Sequence, residues 1–119
     1  MATTVAAFNH MLKRLLQDLQ TAFPGNGKIN TLLAGFDLFT EANPNIAMDV
    51  FVDSVGPHAD KLETRDSTLF DHVRIPGGID LSSLWSVMTD GNKNATWEYL
   101  TMLYALGVTV KNMPPELFE

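Results

Sequence analysis

The chain has 119 residues, 45% of them hydrophobic and 18% charged, a formal net charge of -6 and no cysteine. That length and composition suit one globular domain with a real core, and the missing cysteine excludes disulfides and cysteine-ligated zinc, leaving packing to supply stability. Eight Lys and Arg against 14 Asp and Glu, with Lys13-Arg14 the one adjacent basic pair, make nucleic acid and anionic membranes poor partners.

No apolar run approaches the roughly 20 residues of a membrane span. The N-terminal stretch has no charged region ahead of an apolar segment, so no signal peptide is expected, and the Asn94-Ala95-Thr96 sequon reads as chance. In chain order, Val5, Phe8, Leu12, Leu15, Leu16, Leu19 and Phe23 trace the stripe of a first helix. Thr3 or Thr4 is expected to cap it, and Phe23-Pro24-Gly25 to end it, because the residue before proline is pushed out of the α region. Asn26 opens a second helix carrying Ile29, Leu32, Leu33, Phe36 and Phe39, with Asp37 and Glu41 one turn apart on its outer side.

Asn43 as N-cap and Pro44 in the first helical position should start a third helix. It turns Ala47, Val50, Phe51 and Val55 inward and Asp49 and Asp53 outward, until Gly56-Pro57 stops it. From residue 57 to residue 78 periodicity weakens and charge density rises. Short helical turns are expected around residues 57–62 and 67–72, anchored by Leu62, Leu69, Phe70 and Val73. Ile75-Pro76-Gly77-Gly78 is a turn, after which Asp80 caps the next helix.

Residues 81–106 then predict two antiparallel helices around the polar break Thr89-Asp90-Gly91-Asn92. Leu81, Leu84, Trp85 and Met88 share one face of the first, and Trp97, Leu100, Leu103 and Tyr104 one side of the second. Gly91 is the expected left-handed stop and Asn92 or Asn94 the expected cap. Both tryptophans are expected to lie largely buried with Phe8, Leu12, Phe36 and Phe51. The expectation is therefore an all-α single domain over residues 1–106, a compact bundle of about four main helices plus short turns. Residues 107–119, with two adjacent prolines, are expected to form a surface-lying or frayed tail with Leu117 and Phe118 as docking candidates.

The chemical constellations are weak. Asp90, Asn92 and Asn94 match the first, third and fifth positions of a calcium loop, but Ala95 and Thr101 stand where glycine and a bidentate glutamate are needed. His10, His58 and His72 form no ligand motif, so no metal or cofactor is expected. No nucleophile elbow or phosphate loop is complete. Only His58, Asp60, Arg65, Asp66 and His72 lie close enough in sequence to suggest convergent titratable groups.

Between Pro57 and Phe70 core packing explains the apolar anchors but not Asp60, Lys61, Glu63, Arg65 and Asp66 crowded between them. Two readings stay open. In one, Asp66 caps the turn beginning at Ser67 and Arg65 meets a carboxylate or helix-end carbonyls. In the other, His58, Lys61, Arg65 and Asp66 form a polar partner-binding edge.

Three groups of residues stand out in chain order, beginning with Phe8-Asn9, the stripe to Phe23-Pro24 and Asn43-Pro44. Next comes P-x4-L-x2-R-D-x2-L-F from Pro57 to Phe70. The last and most specific part is Trp85-x3-Thr89-Asp90-x-Asn92-Lys93-Asn94-x2-Trp97-x-Tyr99-Leu100. In this order the pieces resemble a family of small helical proteins of unknown function encoded by nucleocytoplasmic large DNA viruses, especially those of algae and the giant viruses.

The resemblance implies a viral, intracellular setting in host cytoplasm or nucleus, with or without packaging in the virion. It implies no activity. The function expected is a non-enzymatic protein–protein interaction module, a virion component or an adaptor to a viral or host protein. The alternative is an accessory subunit or enzyme whose site a partner completes.

Overall fold

The computed structural model describes residues 5–73 and 79–112, and every regular element among them is helical, as the periodicities require. Four long helices carry the structure: α1 (Val5–Ala22), α2 (Gly27–Ala42), α3 (Ile46–Val55) and α6 (Asp90–Lys111). Between α3 and α6 run a 3-10 turn (Gly56–His58), α4 (Ala59–Glu63), a second 3-10 turn (Ser67–Asp71) and α5 (Leu81–Trp85). The expected caps at Thr3 or Thr4, the turn at residues 75–78 and the docking of Leu117 and Phe118 lie outside the described residues.

The longest helix, α6, is the axis of the fold: α1, α3 and α4 all pack on it, while α2 lies on the other side of α1. α1 and α6 run antiparallel, since Asp18 meets Tyr99 near one end and Phe8 approaches Gly107 near the other. The stripe read in α1 is the one buried: Phe8, Leu12, Leu15, Leu16 and Leu19 are all at most 3% exposed. From α6, Trp97, Leu100, Leu103 and Val110 join them, and from α3 Ala47, Met48, Phe51 and Val55, with Met48 more deeply buried than the expected Val50. Burial on this scale is the main favourable term in folding.

Helix starts follow side-chain chemistry at three of the expected places. Asn26 Oδ1 accepts the Ile29 amide at 3.1 Å, Asp80 Oδ1 accepts those of Ser82 and Ser83, and Asp66 Oδ1 accepts that of Thr68 at 3.0 Å. Asn43 is different. Its amide closes the last turn of α2 on the Phe39 carbonyl, so it ends one helix, and the next starts two residues further on than expected. Pro44 is held outside α3 by its carbonyl, which receives Asn9 Nδ2 of α1 at 2.9 Å, and α3 begins at Ile46 behind Asn45.

Four further expectations are corrected. Gly56-Pro57 does not stop the chain, because Gly56 stays right-handed and proline in a first turn loses no hydrogen bond; the backbone tightens to 3-10 and enters α4. The pair of helices at residues 81–106 is unequal, α5 being five residues long and resting on the turn Ser67–Asp71. Thr89 caps α6 by accepting the Asn92 amide at 3.2 Å, so Gly91, Asn92 and Asn94 are helical residues, not the break.

The fourth correction concerns the domain boundary. α6 continues five residues past Leu106, to Lys111, because Gly107 and Val110 are buried and Lys111 reaches Asp49 and Asp53 of α3 at 3.4 and 3.3 Å. A Cβ on residue 107 would run far inside contact with Val52 Cγ2 of α3. Glycine here is what lets the two backbones approach, which offsets its poor helix propensity.

Candidate functional site

The four residues singled out in the connector do not converge. Lys61 donates to Thr68 Oγ1 at 2.9 Å and lies 3.9 Å from Asp66 Oδ2. Asp66 receives both the amide and the hydroxyl of Thr68, at 3.0 and 2.8 Å. These two donors, the amide first, hold its carboxyl below the ordinary aspartate range. Arg65 turns away to α6, where its guanidinium donates to Asn94 Oδ1 at 3.4 Å. The His58 ring stacks on His72, with centroids 3.7 Å apart and planes 11° from parallel. Asp60 contributes its carbonyl to the Thr64 amide and hydroxyl.

The connector is a closed local device. Arg65 sits at φ 54°, the left-handed position after α4. Its amide bonds to Leu62 O and the next amide, of Asp66, bonds to Lys61 O at 2.8 Å. That pair of bonds is a Schellman stop, with arginine where glycine is usual. The capping role of Asp66 is thus the one the geometry supports, and the connector pins its apolar anchors Leu62, Leu69 and Phe70 onto the core.

Phe70 in turn meets both tryptophans, at 4.6 Å from Trp85 and 5.1 Å from Trp97, which are 5.3 Å from each other. Trp97 is buried, at 4% exposure, but Trp85 is only half-buried, a correction to the expected symmetric pair. Lys93 Nζ lies over the Trp85 indole, 5.4 Å from the ring centroid.

Three of the four helix-face acids also have partners. Asp37 accepts Lys13 at 2.9 and 3.1 Å, and Asp49 and Asp53 share Lys111. Among the described residues no three His, Asp or Glu side chains form a metal-holding group. No helix among them is long and apolar enough to cross a membrane.

The open surface lies elsewhere. Two apolar depressions stand out, neither named by the sequence motifs. One, of about 1020 Å³, lies between α2 and the start of α5, walled by Leu32, Phe39, Ile79 and Leu84, with Lys28 and Asp80 at its edge.

The other is a trough of about 510 Å³ along the seam of α1 and α6. Met11 and Leu106 form half-buried walls, Met102 stands 49% exposed beside them, and Ala105 lines the α6 side with only a methyl group. His10 and Arg14 are its charged or titratable lining, and among the described residues no carboxylate lines it. Arg14 also lies within electrostatic reach of Tyr99, whose phenol is pushed up mainly by its 2.7 Å hydrogen bond to Asp18.

The signal for this trough was present in the sequence. Met11 and Met102 are apolar residues outside the main stripes, so each helix is apolar over more of its girth than one contact needs. Comparisons with protein-family models, with curated proteins and with solved structures found no match.

Proposed function

We propose that this chain is a non-enzymatic protein–protein interaction module that serves a large DNA virus inside the host cell, as a virion component or as an adaptor to a viral or host protein. The viral setting rests on the resemblance in residues 57–70 and 85–100. The interaction role rests on one observation, the α1–α6 trough, where Met102 leaves a large apolar side chain half exposed beside an unfilled apolar seam. Methionine lines adaptable binding surfaces because it is unbranched and polarizable. A groove between two long helices is also the shape that accepts an apolar segment.

The test is affinity capture from infected cells with the wild-type chain and with Met102→Glu. The variant places a charge on an exposed site and leaves the core alone. A partner held by the wild type and lost by the variant, with unchanged circular dichroism, is the expected result. A partner set identical for both chains would remove the trough from the reading.

The alternative, an accessory subunit whose site a partner completes, draws on the stacked His58 and His72 rings, two imidazoles brought together at the surface of the connector. It requires that a His58→Ala/His72→Ala chain still join its partner while the complex loses an activity. An unchanged complex would leave the stack a packing contact.

A further inference from the structure

We infer that the element docking in the α1–α6 trough is an amphipathic helix of another protein, with an apolar stripe flanked by Asp or Glu. This rests on the reading of the chain as an interaction module and adds the chemistry of the partner.

The length of the trough sets the kind of element. Its α1 wall runs from Ala7 to Arg14 and its α6 wall from Met102 to Thr109. At about 1.5 Å per residue each wall is roughly 10 Å long, two turns of helix. An occupant helix therefore presents apolar anchors at i, i+3 or i+4, and i+7, the pattern by which helices lie in grooves. Ala105, with a single methyl, lets its backbone come close, and Met11 and Met102 adjust to its ridges.

Charge sets the partner's flanks. The chain as a whole carries a net charge of -6, yet among the described residues this trough is lined by Arg14 and His10 and by no Asp or Glu. The α2–α5 depression, by contrast, has Lys28 facing Asp80 and carries no net sign. Arg14 lies beside the Tyr99 phenol, which donates to Asp18 at 2.7 Å, and Asp18 keeps its negative charge one helical turn from Arg14. A guanidinium carries five N–H donors in a fork that matches a carboxylate, so Arg14 keeps donors for an incoming Asp or Glu.

The same numbers argue against a second copy of this chain. Two copies would bring one Arg14-lined trough against another, like charge against like. The trough is also far smaller than the 20 to 30 residues a side of a standard stable interface, which suits one helix and not a dimer.

The experiment uses two fluorescent helical peptides of about 15 residues, near the shortest length at which a free helix is more than marginal. Both carry leucine at i, i+3, i+4 and i+7; one has Glu flanks, the other Lys flanks. Fluorescence polarization with the full chain should rank the Glu peptide tighter by on the order of tenfold, equivalent to about 1.4 kcal/mol. Arg14→Glu should reverse the order, and Met102→Glu should weaken both peptides, with circular dichroism unchanged in each variant.

Equal binding of the two peptides, no binding by either, or an order unchanged in Arg14→Glu would overturn the inference. So would a wild-type chain that sediments as a dimer and becomes monomeric with Met102→Glu, since the occupant would then be a second copy. Tighter binding after removal of residues 113–119 would overturn it too, by showing the chain's own end as the competitor. If Met102→Glu abolishes partner capture while the peptides are not sorted by charge, only the acidic-helix inference falls and the interaction role stands.

Discussion

Two glycines inside helices give opposite expectations for the same substitution, and the difference tests the packing of α3 on α6. In a helix interior Gly→Ala ordinarily gains about 0.8–1 kcal/mol. At Gly35, in the middle of α2, an added Cβ meets nothing within 4 Å, so Gly35→Ala should show that full gain. At Gly107 the same methyl group meets Val52 Cγ2 far inside contact distance, with Met48 Cγ at 3.5 Å and Phe8 Cε2 at 3.6 Å behind it. Val52 is β-branched, with one strongly preferred rotamer in a helix, and cannot swing aside freely. Overpacking of this kind costs about 1–3 kcal/mol. Set against the propensity gain, Gly107→Ala should be neutral to destabilising by up to about 2 kcal/mol. Urea unfolding followed by circular dichroism gives both values. The double variant Gly107→Ala/Val52→Ala removes the clashing atom, so it should be more stable than the two single effects predict. If Gly107→Ala stabilises as much as Gly35→Ala, the close approach of α3 and α6 is wrong.

Trp97→Ala should cost about 3–5 kcal/mol, as for other large aromatics removed from a core, and Trp85→Ala clearly less, because its indole is half-buried. A Trp85→Phe chain, reporting only Trp97, should fluoresce to the blue of Trp97→Phe; the reverse order would refute the assignment of the inner ring. Arg65→Gly should raise stability by about 1–2 kcal/mol by removing the cost of a left-handed arginine, since the exposed 3.4 Å bond to Asn94 that it loses contributes little. A lowered denaturation midpoint would mean that Arg65 holds the connector to α6 more firmly than that bond suggests. Asp66 and Asp80 both have carboxyls held below the ordinary range, by the Thr68 amide and hydroxyl and by the Ser83 hydroxyl and amide respectively. The unfolded chain binds those protons more tightly, so their contribution is complete above the ordinary aspartate value near 3.9 and is lost as pH falls through the lower folded values. Thermal midpoints measured from about pH 5 to about pH 2 should therefore fall, and fall less in Asp66→Asn/Asp80→Asn; equal slopes would refute the linkage.

The parts of the fold legible in the sequence are those where one short-range rule acts alone. The α1 stripe needs only helical spacing, and Asn26, Asp66 and Asp80 need only an oxygen within two or three residues of an orphan amide. Some misreadings are local, as where Thr89 takes the capping role expected of Asn92 or Asn94, but two occur where a distant residue intervenes. Asn43-Pro44 has the local form of a helix start, but Asn9, 35 residues earlier, holds the Pro44 carbonyl. Gly107 has the local form of a helix end, but α3 needs its missing side chain. In both places local propensity gave way to a tertiary contact.

The same distinction explains why a charge-rich stretch drew attention as a site while the trough did not. Asp60, Lys61, Arg65 and Asp66 stand out because charges cluster within a few residues of one another. That closeness is also what lets such groups satisfy each other, and Lys61 and Asp66 do so through Thr68. Charge density in a short connector is thus better evidence for a local fold than for a partner. A binding surface is more plainly marked by a group the fold leaves unused. Met102 is such a group: the core of α6 is complete with Trp97, Leu100, Leu103 and Val110, and the helix has no internal reason for a further large apolar side chain outside. Met11 of α1 lines the same seam from the facing helix, 91 positions away in the chain. Neither residue alone distinguishes a binding surface from a scattered surface apolar residue. Their pairing across an antiparallel seam, with Arg14 on the α1 wall, can be seen only once α1 and α6 are laid side by side.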